Sequence, residues 1–148
     1  MKNTKSRVYN FFGVTFNMTA VLLFVIFIIS YLRPAPGIAS KPTIARYESR
    51  GEYKFLIFSP NIDLTPQFTF NTKQVFLYLT CKSSNKEEMA WSKIVTAKDN
   101  LRLFERVKSN YIFTGSRDRS ARFELRGNVY PYVGQMVDLY YGEVTFNN

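Results

Sequence analysis

Histidine is absent from this 148-residue chain, and cysteine occurs only once, as Cys81. Without histidine the chain cannot form a Ser-His-Asp triad, a Cys-His pair or a histidine-ligated zinc site. A single cysteine also excludes an internal disulfide and a cysteine-rich metal cluster. Because Cys81 lies in an apolar run, we expect a small buried hydrophobe there rather than a nucleophile.

The spacing of the residues does not indicate any other common kind of catalytic site. Ser92 and Lys93 are neighbours in a predicted strand, so their side chains point to opposite faces and cannot form a Ser-Lys dyad. Motifs of the GxSxG or phosphate-loop type do not occur. The aspartates are scattered rather than paired, at Asp63, Asp99, Asp118 and Asp138. We therefore expect no catalytic residue, metal, cofactor or small-molecule substrate.

Charge is absent between Arg7 and Arg33, where Val, Leu, Ile and Phe dominate. A helix over residues 11–32 would be about 33 Å long, which matches a bilayer core of roughly 30 Å. The alternative is a cleaved signal peptide with a cleavage site near residues 37–39. The apolar run is longer than the roughly 7–15 residues of such peptides, so the pattern favours an uncleaved transmembrane helix.

The flanking charges predict how this helix is oriented. Lys2, Lys5 and Arg7 crowd the N-terminal side, whereas basic residues are sparser on the other side. The positive-inside rule then predicts that residues 1–10 form a short cytoplasmic segment and that the bulk of the chain lies across the membrane. The sequon Asn17-Met18-Thr19 falls inside the helix and cannot report on topology.

Beyond the helix, prolines and Gly37 predict a linker over residues 33–42, followed by a β domain over residues 43–148. About ten linker residues, at ~3.3 Å each, keep that domain near the membrane. Apolar residues on both faces of the run 74–82 predict a central strand covered on both sides. Only Lys98–Lys108 has helix-like spacing. The predicted strands are 53–58, 74–82, 91–96, 110–114, 119–130 and 136–146, a pattern typical of an antiparallel β-sandwich.

The net charge of +9 raises the question of nucleic-acid binding. No RNA-binding, zinc-finger or basic-helix motif is present, and the aromatic residues fall mostly at inward or central strand positions, so we expect no nucleic-acid partner. The densest basic cluster could meet an acidic partner or lipid headgroups. In–out alternation already accounts for part of it, which favours a solvated strand face. Its members are Arg117, Arg119, Arg122 and Arg126.

Four segments have distinctive sequences, namely FNTKQVFLYL at residues 70–79, WSKIV at 91–95, KSNYIF at 108–113 and GNVYPYVG at 127–134. They resemble motifs of the signal peptidase complex subunit 3 family. In chain order, these motifs are W/F-N-x-K-Q-x-F-[LV]-Y-L, W-[DS]-K-I-[VI], K-x-K-Y-x-F and W-N-[VI]-x-P-x-x-G. The chain departs from that pattern at Gly127, where the family usually has tryptophan, and it lacks the family's usual glycosylation sequon.

The resemblance implies a type II membrane protein of the endoplasmic reticulum, with a luminal β-sandwich. It implies an accessory role in a complex whose hydrolytic residues lie in a separate serine-protease subunit, so no catalytic residue is carried over. The expected partners are that subunit, the other subunits and the lipid bilayer. Polar residues at the start of a strand are poorly explained by packing, and we expect a subunit contact at Phe70, Asn71, Lys73 and Gln74. The alternative is a membrane-tethered β domain that binds another luminal partner, unrelated to proteolysis.

Overall fold

The computed structural model describes residues 3–32, 36–50, 53–83, 86–114 and 120–147, which fall into two compact units. The N-terminal unit contains helix α1, Thr4–Leu32. By its length and composition α1 can cross a membrane. It begins earlier than the sequence predicts, since residues 4–10 contain no proline or glycine to stop a helix.

Polar side chains within α1 bond to the helix itself. The hydroxyl of Thr15 donates to the carbonyl of Phe11, and that of Thr19 donates to the carbonyl of Thr15, both at 2.9 Å. Such bonds to the preceding turn satisfy a hydroxyl without any neighbouring helix. These threonines therefore add little cost to placing α1 in a bilayer.

The second unit is the β domain, and all its strand pairs are antiparallel. Its sheets have the orders β1-β2-β7, β3-β6 and β5-β4-β8-β9. This architecture confirms the prediction of a mainly β fold after a single helix. The strands are β1 Thr43–Arg50, β2 Tyr53–Ser59, β3 Ile62–Asp63, β4 Thr72–Ser83, β5 Lys86–Thr96, β6 Arg102–Leu103, β7 Val107–Lys108, β8 Ser120–Pro131 and β9 Val137–Asn147.

One hydrophobic core joins the larger sheets. Alternation places Leu77 and Leu79 of β4 in this core together with Leu56 and Phe58 of β2. The ring of Phe58 meets that of Trp91 on β5 edge to face, with centroids 5.4 Å apart. The predicted inward residues of β4 and β8 are all buried, which confirms the period-two reading of these strands. They are Val75, Leu77, Leu79, Cys81, Ala121, Phe123, Leu125 and Val129.

The helix-like spacing of Lys98–Lys108 does not produce a helix. This segment instead forms a turn, β6 and β7. Leu103 pairs with Ile62 and Val107 pairs with Phe58, so the segment extends two sheets. Its helix-like spacing reflects apolar residues that reach the core from short strands, because tertiary pairing outweighs weak local propensity. The predicted strand 110–114 is reduced to one bridge between Phe113 and Lys54.

The sequence predicted that β4 is a central strand and that both of its faces are covered, and only the first of these is confirmed. β4 lies between β5 and β8, as a central strand should. Its second face is open, because Ile94 and Tyr140 in the same sheet are 55% and 50% exposed there. Phe76 and Tyr78 on this outer face stack on each other, with centroids 5.7 Å apart, and are thereby half-buried. The sequence predicted that a second layer of the protein covers this face. In the structure the two aromatic rings shield each other instead.

Candidate partner-binding surfaces

The predicted contact residues lie in a tight turn, at Phe70 and Asn71, and in the first residues of β4, at Lys73 and Gln74. The backbone N–H of Thr72 donates to the carbonyl of Thr69 at 3.1 Å, and its hydroxyl donates to the carbonyl of Gln67 at 2.7 Å. These bonds fix the turn on the short 3₁₀-helix Thr65–Gln67, which has a proline in its first turn. The turn presents Phe70 to solvent, where it is 73% exposed.

The four residues do not share one environment. Phe70 and Lys73 are exposed, and Gln74 is half-buried on the outer sheet face. Asn71 is only 6% exposed, and its carbonyl accepts the backbone N–H of Tyr132 at 2.8 Å. Asn71 thus holds the turn against the end of β8. A contact with another subunit at all four residues stays a prediction.

Tyr132 is the neighbour that the sequence reasoning missed. It follows directly after β8, is 67% exposed and lies beside the Phe70 turn through its bond to Asn71. The signal was present in the pattern at residues 127–134, where an aromatic residue follows Pro131 at the end of a strand. Its proximity to Phe70 depends on the pairing of β4 with β8, which brings Thr72 opposite Pro131.

Part of the predicted linker is built into the β domain. The N–H of Ser40 donates to the carbonyl of Tyr141 at 2.7 Å, and the hydroxyl of Ser40 donates to the carbonyl of Pro60. Gly142 lies so close that a Cβ there would collide with the Ser40 carbonyl oxygen. Asn61, with a left-handed φ of 49°, donates its side-chain amide to the carbonyl of Lys41 at 3.0 Å. The β domain therefore holds the chain before Thr43.

A buried polar pair connects this segment with the Phe70 turn. The hydroxyl of Tyr141 donates to Oε1 of Gln67 at 2.6 Å. Burial raises the pKa of Tyr141 to about 12. Nε2 of Gln67 lies 3.5 Å from the carbonyl oxygen of Pro36. Pro36 and the Phe70 turn thus lie at the same end of the β domain.

Ion pairs cover part of the outer face of the four-stranded sheet. Glu124 is buried there, with its carboxylate 2.8 Å from Nζ of Lys82. Arg122 pairs with Glu143, and this hydrogen bond lowers the pKa of the Glu143 carboxyl. Arg126 lies 3.1 Å from a carboxylate oxygen of Asp138.

These pairs bear on the basic cluster predicted from the sequence. Arg122 and Arg126 both meet acidic partners within the sheet, as expected of a solvated strand face. Arg117 and Arg119, the other two members, lie outside the described residues. The described half of the cluster is therefore no free basic patch.

The aspartates that sequence reasoning considered for catalysis stabilise turns. Asp63 accepts the N–H of Thr65 at 2.9 Å, and hydrogen bonds from Thr65 lower the pKa of its carboxyl. Asp99 accepts the N–H and hydroxyl of Thr96, which likewise lower its pKa. Asp138 bonds to Tyr78 and Arg126. Asp118 is outside the described ranges, within which no cluster of three His, Cys, Asp or Glu could hold a metal ion.

Comparison with known proteins gives the family. The sequence model of the signal peptidase subunit family matches residues 1–147. The chain belongs to the signal peptidase subunit family. Signal peptidase complex subunit 3 of Gallus gallus is 30% identical over 155 residues, covering 90% of this chain and 86% of the chicken protein.

Two further relatives bear the same name. Signal peptidase complex subunit 3 of Saccharomyces cerevisiae is 36% identical over 101 residues, which cover 61% of this chain but only about half (53%) of the yeast protein. Its counterpart in Homo sapiens is 28% identical over 155 residues, again covering 90% of this chain and 86% of the human protein. Family membership and the apolar helix α1 together identify a membrane protein.

The structure also accounts for Gly127, where the resembled motif usually has tryptophan. A Cβ at this position would lie 2.6 Å from Cε2 of Tyr141 and 3.3 Å from Cδ2 of Leu77. The Tyr141 ring thus fills the space beside the Gly127 backbone. A tryptophan could not enter here while Tyr141 keeps its bond to Gln67.

Proposed function

We propose that this chain is a non-catalytic accessory subunit of the signal peptidase complex, which removes signal peptides from nascent secretory proteins. Its partner would be the catalytic serine-protease subunit. The family match over residues 1–147 carries the proposal. It is supported by the absence of histidine from the sequence and by carboxylates that serve turns and ion pairs.

The proposed location is the membrane of the endoplasmic reticulum in a type II orientation. Residues 1–10 would lie in the cytoplasm, residues 11–32 would cross the membrane, and the domain 43–148 would be luminal. The basic residues before α1 support this orientation. A sequon introduced at exposed Lys86, as Lys86→Asn with Glu88→Thr, should be glycosylated in microsomes. An unmodified chain would contradict the luminal assignment.

The contact with the catalytic subunit is proposed to include Lys73, Gln74 and the adjoining open face of the four-stranded sheet. This face carries half-buried aromatic rings between exposed apolar side chains, an arrangement common in protein interfaces. Asn71 would act indirectly, because it is buried and shapes the turn. Phe70 projects from the end of the domain and need not face the same partner.

Purification of the complex from membranes in mild detergent tests this contact. The variant Lys73→Ala/Gln74→Ala should recover less catalytic subunit and process signal peptides more slowly. A matched control is Lys86→Ala/Glu87→Ala, which removes exposed polar side chains at the start of β5, toward the opposite end of the sheet. If this first variant recovers as much catalytic subunit and processes signal peptides as fast as the wild type, Lys73 and Gln74 are not part of the interface.

The alternative is a membrane-tethered β domain that binds a different luminal partner and has no role in proteolysis. The same purification distinguishes the two, because the proposed function requires a signal peptidase catalytic chain among the recovered proteins. Its consistent absence would favour the alternative. Cleavage of a signal peptide by the isolated chain would instead contradict a non-catalytic role.

A further inference from the structure

Exposed aromatic and basic side chains gather at the end of the β domain where β4 begins, β8 ends and β9 begins. Phe70 and Tyr132 both lie here, because the backbone N–H of Tyr132 bonds to the carbonyl of Asn71, the residue after Phe70. Gln74 pairs with Thr96, so the turn that carries Lys98 reaches the same end. We call this surface the linker end and define it by exposed Phe70, Lys98, Tyr132 and Met136.

The apolar part of this surface is unfavourable in water. Phe70, Tyr132 and Met136 leave apolar surface exposed in turns, where no strand pairing requires large residues. Lys98 adds positive charge at the same end of the domain. The nearby Asp99 directs its carboxylate to the N–H and hydroxyl of Thr96, at 2.8 and 2.7 Å, and so serves its own turn.

The chain enters the β domain at this same end. The carbonyl oxygen of Pro36 lies 3.5 Å from the side-chain amide of Gln67. The backbone carbonyl of Gln67 accepts the hydroxyl of Thr72, the bond that fixes the Phe70 turn. In the sequence, only residues 33–35 separate Leu32, the last residue of α1, from Pro36. At roughly 3.3–3.6 Å per residue this short tether leaves the linker end little freedom to leave the membrane surface.

We propose that the linker end binds the lipid headgroup region of the membrane that α1 spans. Phe70 and Tyr132 would lie at the boundary between headgroups and acyl chains, which aromatic side chains prefer. Lys98 would face anionic headgroups, to which basic residues near a bilayer are attracted. This inference depends only on α1 being in a bilayer and does not depend on the proposed role in signal peptidase.

Spin labels on single cysteines test the proposal in the full chain reconstituted alone into vesicles. The vesicles contain phosphatidylcholine with a minor share of phosphatidylserine, and Cys81→Ala provides the unlabelled background. Nitroxides at Phe70→Cys and Tyr132→Cys should collide more often with oxygen, which concentrates in lipid, than with a water-soluble nickel chelate. Tyr53→Cys is the matched control, an exposed tyrosine at the far end of β2 from Ser59 and Pro60, where the linker is held.

The expected result is a several-fold higher ratio of oxygen to nickel accessibility at positions 70 and 132 than at position 53. Lys98→Ala, or vesicles without phosphatidylserine, should lower the ratio at position 70. Equal, water-like ratios at all three positions would overturn the proposal. So would labels at 70 and 132 that are water-accessible in the isolated chain and become protected only in an assembled complex, since that identifies a protein partner. Emission of the buried Trp91 verifies folding of each variant.

Discussion

Tyr141 and Gln67, 74 positions apart, form a buried hydrogen bond of 2.6 Å between β9 and the 3₁₀-helix that precedes β4. The bond joins the last strand to the turn that presents Phe70. The ring of Tyr141 also packs beside the backbone of Gly127. The backbone carbonyl of Tyr141 accepts the N–H of Ser40. One side chain and its backbone thus organise the end of the β domain at which the chain enters.

Tyr141→Phe should reduce the free energy of unfolding by about 1–2 kcal/mol. The substitution keeps the ring and removes the hydroxyl, leaving Oε1 of buried Gln67 without its donor. Urea denaturation of the purified full chain, followed by the fluorescence of Trp91, measures the change. This tryptophan is the only one in the sequence and is packed against Phe58 in the core.

The neighbouring tyrosine supplies the control for that measurement. Tyr140 is exposed, and its hydroxyl donates to Glu143 at the surface at 3.0 Å. Tyr140→Phe should therefore change stability by less than about 0.5 kcal/mol, as is usual for surface substitutions. Equal losses in the two variants would show that the Gln67 bond contributes nothing specific.

Alkaline pH should reduce the contribution of Tyr141 to stability. Burial raises the pKa of Tyr141 from its ordinary value of 10.0 to about 12. Between these values the unfolded chain loses the proton while the folded chain keeps it, so this contribution is complete below pH 10 and is lost as the pH rises towards 12. Two pKa units correspond to at most about 2–3 kcal/mol.

Comparison with Tyr141→Phe isolates this effect, because the remaining tyrosines and lysines titrate in both proteins. Urea denaturation at pH 9, 10 and 11 should show the stability difference between wild type and variant shrinking as the pH rises. A difference that stays constant across this range would mean that Tyr141 ionises equally easily in the folded and unfolded chain.

Gly142→Ala should destabilise the β domain by about 1–3 kcal/mol, since overpacking against backbone cannot be relieved by a side-chain rotation. The new Cβ would collide with the Ser40 carbonyl oxygen. Gly37→Ala is the control, because no atom lies within 4 Å of a Cβ at that position. Thermal unfolding of both variants checks the prediction, and matching midpoints would argue that the segment before Thr43 is not held against β9.

Glu124→Gln should cost about 1–3 kcal/mol of stability, because the substitution removes the negative charge paired with the ammonium group of Lys82 at 2.8 Å. Glu143→Gln, which breaks an exposed pair with Arg122, should cost less, because solvent screens this pair. Urea denaturation at low and high salt compares the two. A larger loss for Glu143→Gln would show that burial of Glu124 does not strengthen its ion pair.

Much of this architecture follows from local patterns that can be read directly. An uncharged apolar run longer than a bilayer is thick predicts α1, and period-two alternation predicts the inner faces of β4 and β8. The motif at residues 70–79 pointed to the family that the comparison then established. The helix-like spacing over Lys98–Lys108 gave no helix, because a spacing of three is weak evidence when short strands can bring the same residues into a core.

The sequence by itself determined a membrane helix, a mainly β domain and a chain without histidine chemistry, since each depends on composition or on neighbours along the chain. Only the tertiary structure decided that Asn71 is buried while Phe70 beside it is exposed, and that Tyr132 lies next to them. It also decided that Ser40 belongs to the β domain. The physical reason is that these contacts join residues dozens of positions apart through strand register and close backbone packing, which no local pattern encodes.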